Sequence, residues 1–205
     1  MSVLRTLLAS LVILAAGVAT LAAATDGFRA FTTETARRLD VREHPRVLPP
    51  AALQTARGDT LSLARLRGKW LLVDFIYTRC ATYCSLQGTE FARLQNRLAR
   101  PLAQGGVVLL SISFDPVRDG PSELAAYLRR SGDRGTGWIA ARPTGRDELA
   151  TLMQAFGVVA IPDSLGGYVH NSAIAVVDPA GRLVAILDWD DSHAAERFVT
   201  ATLTP

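Results

Sequence analysis

The sequence predicts an α/β fold: a mixed central sheet flanked by helices, preceded by an N-terminal hydrophobic helix. Three observations carry that prediction. Residues 70–77 and 107–114 are nearly continuous apolar runs, the mark of strands covered on both faces. Stretches with apolar residues at helical spacing alternate with them, which implies parallel strands joined by crossovers. Short strand pairs around Gly turns open and close this region and add antiparallel partners.

Each element has its own signal. Residues 6–25 carry no charge and are rich in Leu, Val, Ile and Ala. As a helix rising ~1.5 Å per residue they span the ~30 Å core of a bilayer. Arg5 before the segment and Asp26 after it favour an amino terminus left in the cytoplasm and an exported remainder. Ala22-Ala23-Ala24 fits a signal-peptide cleavage site, but the apolar run is long for one, so residues 1–25 read as a signal anchor ahead of a signal peptide. No cysteine follows the segment, which argues against a lipoprotein. Residues 26–50 read as a linker, with a short helix at 28–39; Pro45, Pro49 and Pro50 argue against regular structure from residue 41 to residue 50.

The domain then occupies residues 51–205. Residues 53–63 form a hairpin around Gly58, and 70–77 a strand. Leu86, Phe91, Leu94 and Leu98 lie along one helical face, and 107–114 is the second buried strand. Pro121 starts a helix that Gly132 stops. Trp138 opens a short strand. Thr144 and Asp147 approximate a capping box for a helix ended by Gly157. Residues 173–177 and 183–187 form the closing hairpin, and Ser192 caps the last helix. This order resembles the thioredoxin-like pattern.

Composition sets limits. The 205 residues are 49% hydrophobic and 20% charged, which excludes a disordered chain. The 22 basic and 19 acidic residues are interspersed, so no basic stripe marks a nucleic-acid partner. Two cysteines cannot build a disulfide scaffold or a four-thiolate zinc site.

Those two cysteines, Cys80 and Cys84, sit where a buried strand gives way to a helix. Open α/β sheets gather ligands at the carboxyl ends of their strands, and a helix amino terminus stabilises a thiolate. At i and i+4 the two Cβ atoms are about 5–6 Å apart on one helical face. The pair can chelate a soft ion when reduced and, with local adjustment, close a disulfide when oxidised. Thiolates select Cu(I), zinc and iron–sulfur clusters, and a cluster wants four thiolates. A purely structural disulfide is the competing reading; it closes so short a loop that it gains little entropy.

Of the three histidines, His44 lies in the Pro-rich connector and reads as solvent-exposed. His193 follows Asp190-Asp191-Ser192 and reads as part of a helix start. His170, in a Gly-rich loop just before a buried strand, falls beside the cysteine-bearing helix if the layout is thioredoxin-like. Two thiolates and one imidazole suit copper.

Four ordered features resemble the Sco/SenC family of membrane-tethered copper proteins, over residues 48–199. They are Tyr77-Thr78-Arg79-Cys80-x3-Cys84, the run Ser111 to Asp119 (Ser-Ile-Ser-Phe-Asp-Pro-Val-Arg-Asp), Gly137-Trp138-Ile139, and His170 eight residues before Asp178-Pro179-Ala180-Gly181. The resemblance implies a copper-binding assembly factor, not an enzyme. It implies Cys80, Cys84 and His170 as ligands of Cu(I) or Cu(II), with Cys80 and Cys84 also a redox-active disulfide. The implied partner is subunit 2 of cytochrome c oxidase, to whose dinuclear site the protein delivers copper or whose cysteines it reduces. The implied location is the periplasmic side of the inner membrane, with residues 6–25 as the anchor. The chain departs from the family at Ala81 and Ser85, where prolines are usual, and at Val169 and Asn171 around the histidine. None of the four is a ligand.

Two enzymatic readings compete. A thiol–disulfide oxidoreductase using Cys80 and Cys84 fits the fold, but such enzymes use Cys-x2-Cys, and the proline they place opposite their cysteines is missing before His170. A peroxidase with Thr78 beside Cys80 requires Thr-x2-Cys, which the chain lacks.

Overall fold

The computed structural model describes the backbone of residues 2–80, 83–164 and 166–203, and the side chains of residues 3–80, 86–164 and 166–201. They divide into two units, residues 1–43 and 44–205.

The first unit holds α1 (Ser2–Ala24) and α2 (Thr33–Glu43). Residues 3–24 of α1 have a mean hydropathy of 2.4 over the most apolar window and are long and apolar enough to cross a membrane. Acidic Glu34 stands in the first turn of α2 and pairs with Arg37 and Arg38 one turn on. This helix starts and ends four to five residues later than the sequence pattern indicates. The reason is local: Thr32, not the aromatic pair Phe28 and Phe31, supplies the start, its hydroxyl accepting from Thr35 N at 3.1 Å.

The second unit is the sheet domain. Its elements are β1 (Arg46–Val47), β2 (Ala52–Thr55), β3 (Thr60–Ser62), β4 (Trp70–Ile76), α3 (Tyr83–Arg97), α4 (Ala99–Ala103), β5 (Val107–Ser113), α5 (Pro121–Ser131), β6 (Trp138–Pro143) and α6 (Arg146–Phe156). They continue with β7 (Ala160–Pro162), β8 (Tyr168–His170), β9 (Ala173–Val177), β10 (Arg182–Asp188) and α7 (Ser192–Leu203). The main sheet runs β1-β10-β9-β4-β5-β6-β2-β3, and β7 and β8 form a separate ribbon. The pairs β4–β5 and β5–β6 are parallel, and the pairs on either side of them are antiparallel. The sheet is therefore mixed, as predicted.

The apolar runs explain the order. Leu72, Val73, Ile76, Leu109, Leu110 and Ile112 are completely buried, so β4 and β5 take the centre. Each such side chain contributes about 1.5–3 kcal/mol by leaving water. Phe75 packs edge-on against Phe156 of α6 on one face, while Trp70 meets Phe198 of α7 on the other. Helix α3 covers that second face through Phe91, whose ring lies 5.7 Å from Trp138.

Four expectations need correction. Leu86 is exposed; the buried face of α3 runs through Gln87, Glu90, Phe91 and Leu94, and the buried Leu98 follows just after the helix. Thr144 does not cap α6: the cap position is Gly145, and the Thr144 hydroxyl donates to Ala52 O across the sheet edge. Ser192 does not cap α7 either, because Asp191 Oδ1 accepts from Ala194 N while Ser192 is buried, its hydroxyl donating to Glu90. The stretch 41–50, expected to be irregular, contains the end of α2 and the two-residue edge strand β1, which lies between Pro45 and Pro49 and pairs with β10. The helix stops at Gly132 and Gly157 are as expected, with φ of 86° and 65° that favour glycine.

Candidate functional site

The register of the sheet brings distant residues to one place. Strand β9 is antiparallel to β4, with Leu71 opposite Val177 and Val73 opposite Ala175. The start of β9 therefore lies at the carboxyl end of β4. Cys80 leaves β4 through a turn closed by its own N–H on Tyr77 O, at 3.2 Å. His170 ends β8, three residues ahead of β9. Although 90 positions apart in the chain, the two side chains line one cleft of about 480 Å³ with Tyr77, Tyr168, Ser172 and Trp189. A second cleft, of about 560 Å³, lies between the β2–β3 hairpin and α5 and carries neither thiol nor imidazole.

Aromatic rings fix the imidazole. The His170 ring centroid is 5.0 Å from that of Phe114 and 6.4 Å from that of Tyr77. Tyr168 closes the box at 5.2 Å from both rings. Burial pushes the imidazole below its ordinary pKa of 6.5. At neutral pH His170 is thus uncharged, the form that ligates a metal. Ser172 Oγ lies 3.4 Å from the ring nitrogens.

Cys84 belongs to the first turn of α3; its side chain lies outside the described residues. Among the described residues no group of three His, Cys, Asp or Glu side chains could hold a metal ion. His44 is exposed in the connector. His193 lies in the first turn of α7, its Nε2 2.8 Å from Arg97 Nη2, away from the cleft.

Beneath the cysteine turn lies a network that sequence reasoning missed. Asp119, the last residue of the run that begins at Ser111, is completely buried. Its carboxylate accepts from Thr78 N at 2.9 Å, from Thr78 Oγ1 at 2.6 Å and from Ser113 Oγ at 2.6 Å. Arg130 of α5 donates to Thr78 O at 3.0 Å, so both sides of this stretch of backbone are held two residues before Cys80. The available signal was the run Ser113-x-Asp115-Pro116-x2-Asp119, in which a strand-ending Ser and two Asp can close the loop on itself.

Asp74 is the second omission. It is completely buried in β4, and among the described residues neither carboxyl oxygen has a hydrogen-bond partner. Burial pushes it up from 3.8 to about 8; Ser111, opposite it on β5, holds the rise back without completing a hydrogen bond.

With this geometry in hand, comparison with known proteins gives a consistent result. The SCO1/SenC family model matches residues 40–202. The chain belongs to the SCO1/SenC family. A Stutzerimonas stutzeri protein described provisionally as copper-binding is 31% identical over 145 residues, 67% of each chain. The structure of Bradyrhizobium japonicum ScoI with copper bound is 24% identical with a TM-score of 0.61, covering 74% of this chain and 98% of that one. BsSco, a member of the Sco family of cytochrome c oxidase assembly proteins, is 22% identical with a TM-score of 0.68, covering 78% of this chain and 95% of that one. The family shares the thioredoxin-like arrangement seen here, a mixed sheet flanked by helices.

Proposed function

We propose that this SCO1/SenC family member binds one copper ion through Cys80, Cys84 and His170 and serves the assembly of the dinuclear copper site in subunit 2 of cytochrome c oxidase. The observation that carries the reading is the meeting of Cys80 and the uncharged imidazole of His170 in one cleft. The donor set fits the ion. Thiolates hold Cu(I), and an added imidazole accommodates Cu(II). The aromatic box of Tyr77, Phe114 and Tyr168 limits water at the imidazole side.

Copper is cargo in this reading. It leaves by stepwise exchange, one ligand of the carrier giving way as one cysteine of the target takes its place. The same thiols support the other contribution to assembly. The dithiol of Cys80 and Cys84 reduces a target disulfide by exchange, ending as a disulfide itself while the target gains two thiols. Neither role requires enzymatic turnover. Helix α1 anchors the domain on the extracytoplasmic side of the membrane, where the assembling oxidase presents its copper site.

The test is a titration of the reduced protein with copper. One equivalent binds, and the Cu(II) form shows thiolate-to-copper charge-transfer absorption that changes in His170→Ala and disappears in Cys80→Ser. Absence of stoichiometric binding, or an unchanged spectrum in His170→Ala, contradicts the proposal.

A further inference from the structure

We infer that Arg79 is a positioning residue for His170, tying the β7–β8 ribbon to the cysteine turn. The inference rests on the assignment of His170 as a ligand.

The ribbon stands apart from the main sheet. At its base, Asn171 accepts from Val159 N at 2.7 Å and donates to Gly157 O at 3.0 Å, which fixes it to the end of α6. At its tip, Asp163 and Gly167 bond to each other through two contacts of 2.7 and 3.0 Å. The ribbon is thus a self-contained hydrogen-bonded unit, fixed at the base by Asn171 and seated on Tyr77 and Phe114 through the rings of Tyr168 and His170. Tyr168 and His170 are half-buried at the cleft, while Ile161 and Val169 are 59% and 66% exposed. Rotation about the base would carry the imidazole away from Cys80 without breaking any bond within the ribbon.

Arg79 opposes that rotation. Its Nη2 donates to Gly166 O at the ribbon tip, at 3.1 Å, and lies 3.5 Å from Asp115 Oδ2. Asp115 is almost fully buried, its N–H donating to Ser113 Oγ in the network that anchors Thr78. The guanidinium therefore spans a fixed loop and a hinged ribbon, one residue before Cys80. Tyr77 adds a weaker second tie, its hydroxyl 3.4 Å from Tyr168 N. Nearly half of the Arg79 side chain is exposed, so no packing demands an arginine here. Both contacts fall on the one terminal nitrogen, Nη2, whose two N–H groups serve the two acceptors, and the shorter lysine side chain sets its ammonium about one bond short of that position.

The experiment uses the full chain as wild type, Arg79→Ala, Arg79→Lys, His170→Ala and the Arg79→Ala/His170→Ala double variant. Loss of one charge-assisted hydrogen bond corresponds to about a tenfold change. In the metal-free protein, hydrogen exchange at the Tyr168 amide, whose partner Tyr77 lies outside the ribbon, rises about tenfold in Arg79→Ala, with Arg79→Lys intermediate, while the Gly167 amide, bonded to Asp163 within the ribbon, and the Thr78 amide are unchanged. In the copper-loaded protein, release of copper to a colorimetric chelator quickens about tenfold in Arg79→Ala, and the same substitution adds nothing when His170 is already absent. Unchanged exchange at the Tyr168 amide overturns the inference, as does equal acceleration with or without His170, which would assign Arg79 to the charge around Cys80. Failure of the wild type to bind copper contradicts the proposed function instead, and the exchange measurement still decides whether Arg79 holds the ribbon.

Discussion

Replacing Asp74 by Asn should remove the pH dependence that this one carboxyl imposes on stability. The side chain sits in the middle of β4 with no hydrogen-bond partner among the described residues, and burial raises its pKa from 3.8 to about 8. The folded protein therefore holds a proton there that the unfolded chain releases above pH 4. Stability from this group is fully present below pH 4, is lost as the pH rises, and is gone above about pH 8. At ~1.36 kcal/mol per pH unit, the loss reaches about 4 kcal/mol at pH 7 and about 6 kcal/mol above pH 8. Asparagine keeps the shape and carries no proton to lose. Urea denaturation at pH 5, 7 and 8.5, followed by tryptophan fluorescence, checks this. The two proteins should lie within about 2 kcal/mol of each other at pH 5, and Asp74→Asn should be the more stable by several kcal/mol at pH 8.5. Stability curves that run parallel across this range would refute the reasoning and place an unseen partner on the carboxylate.

Three further outcomes follow from the same geometry. Asp119→Ala leaves Thr78 N and two hydroxyls without their acceptor; it should cost about 3–5 kcal/mol in chemical denaturation, with Asp119→Asn recovering part of the loss. Phe156→Ala opens a cavity against Phe75, on the face of β4 away from α3. It should cost about 3–5 kcal/mol while copper stoichiometry, measured on the protein that remains folded, stays at one. Insulin reduction should be slow and little altered by Cys84→Ser, because the protein is proposed as a carrier; rapid Cys84-dependent turnover would move it to the oxidoreductases.

Burial decided what the sequence could reveal. Residues 70–77 and 107–114 announce their place because both faces are covered, and a nearly continuous apolar run of this length is the mark of a buried strand. The Pro121 start and the Gly132 and Gly157 stops are equally plain, since each answers a backbone constraint. Strands of two or three residues carry no period, which is why β1 and the β7–β8 ribbon went unseen. Leu86 misled because hydrophobicity alone cannot say which of two helical faces meets the sheet; the buried positions Gln87 and Glu90 turn the helix the other way. The pairing of Cys80 with His170 was legible through spacing, order and resemblance. The support beneath it was not. Asp119 looks like any charged turn residue until the fold brings Thr78, 41 positions earlier, against it. Arg79 looks like a surface arginine until Gly166 arrives from 87 positions later.

The most direct test of the account is X-ray absorption spectroscopy of the protein loaded with one copper ion, read for the number and kind of its neighbours. The account predicts two sulfur scatterers and one imidazole nitrogen in the wild type, with the nitrogen lost in His170→Ala and one sulfur lost in Cys80→Ser or Cys84→Ser. A copper environment made only of oxygen and nitrogen, or one that no substitution at these three positions alters, would contradict it.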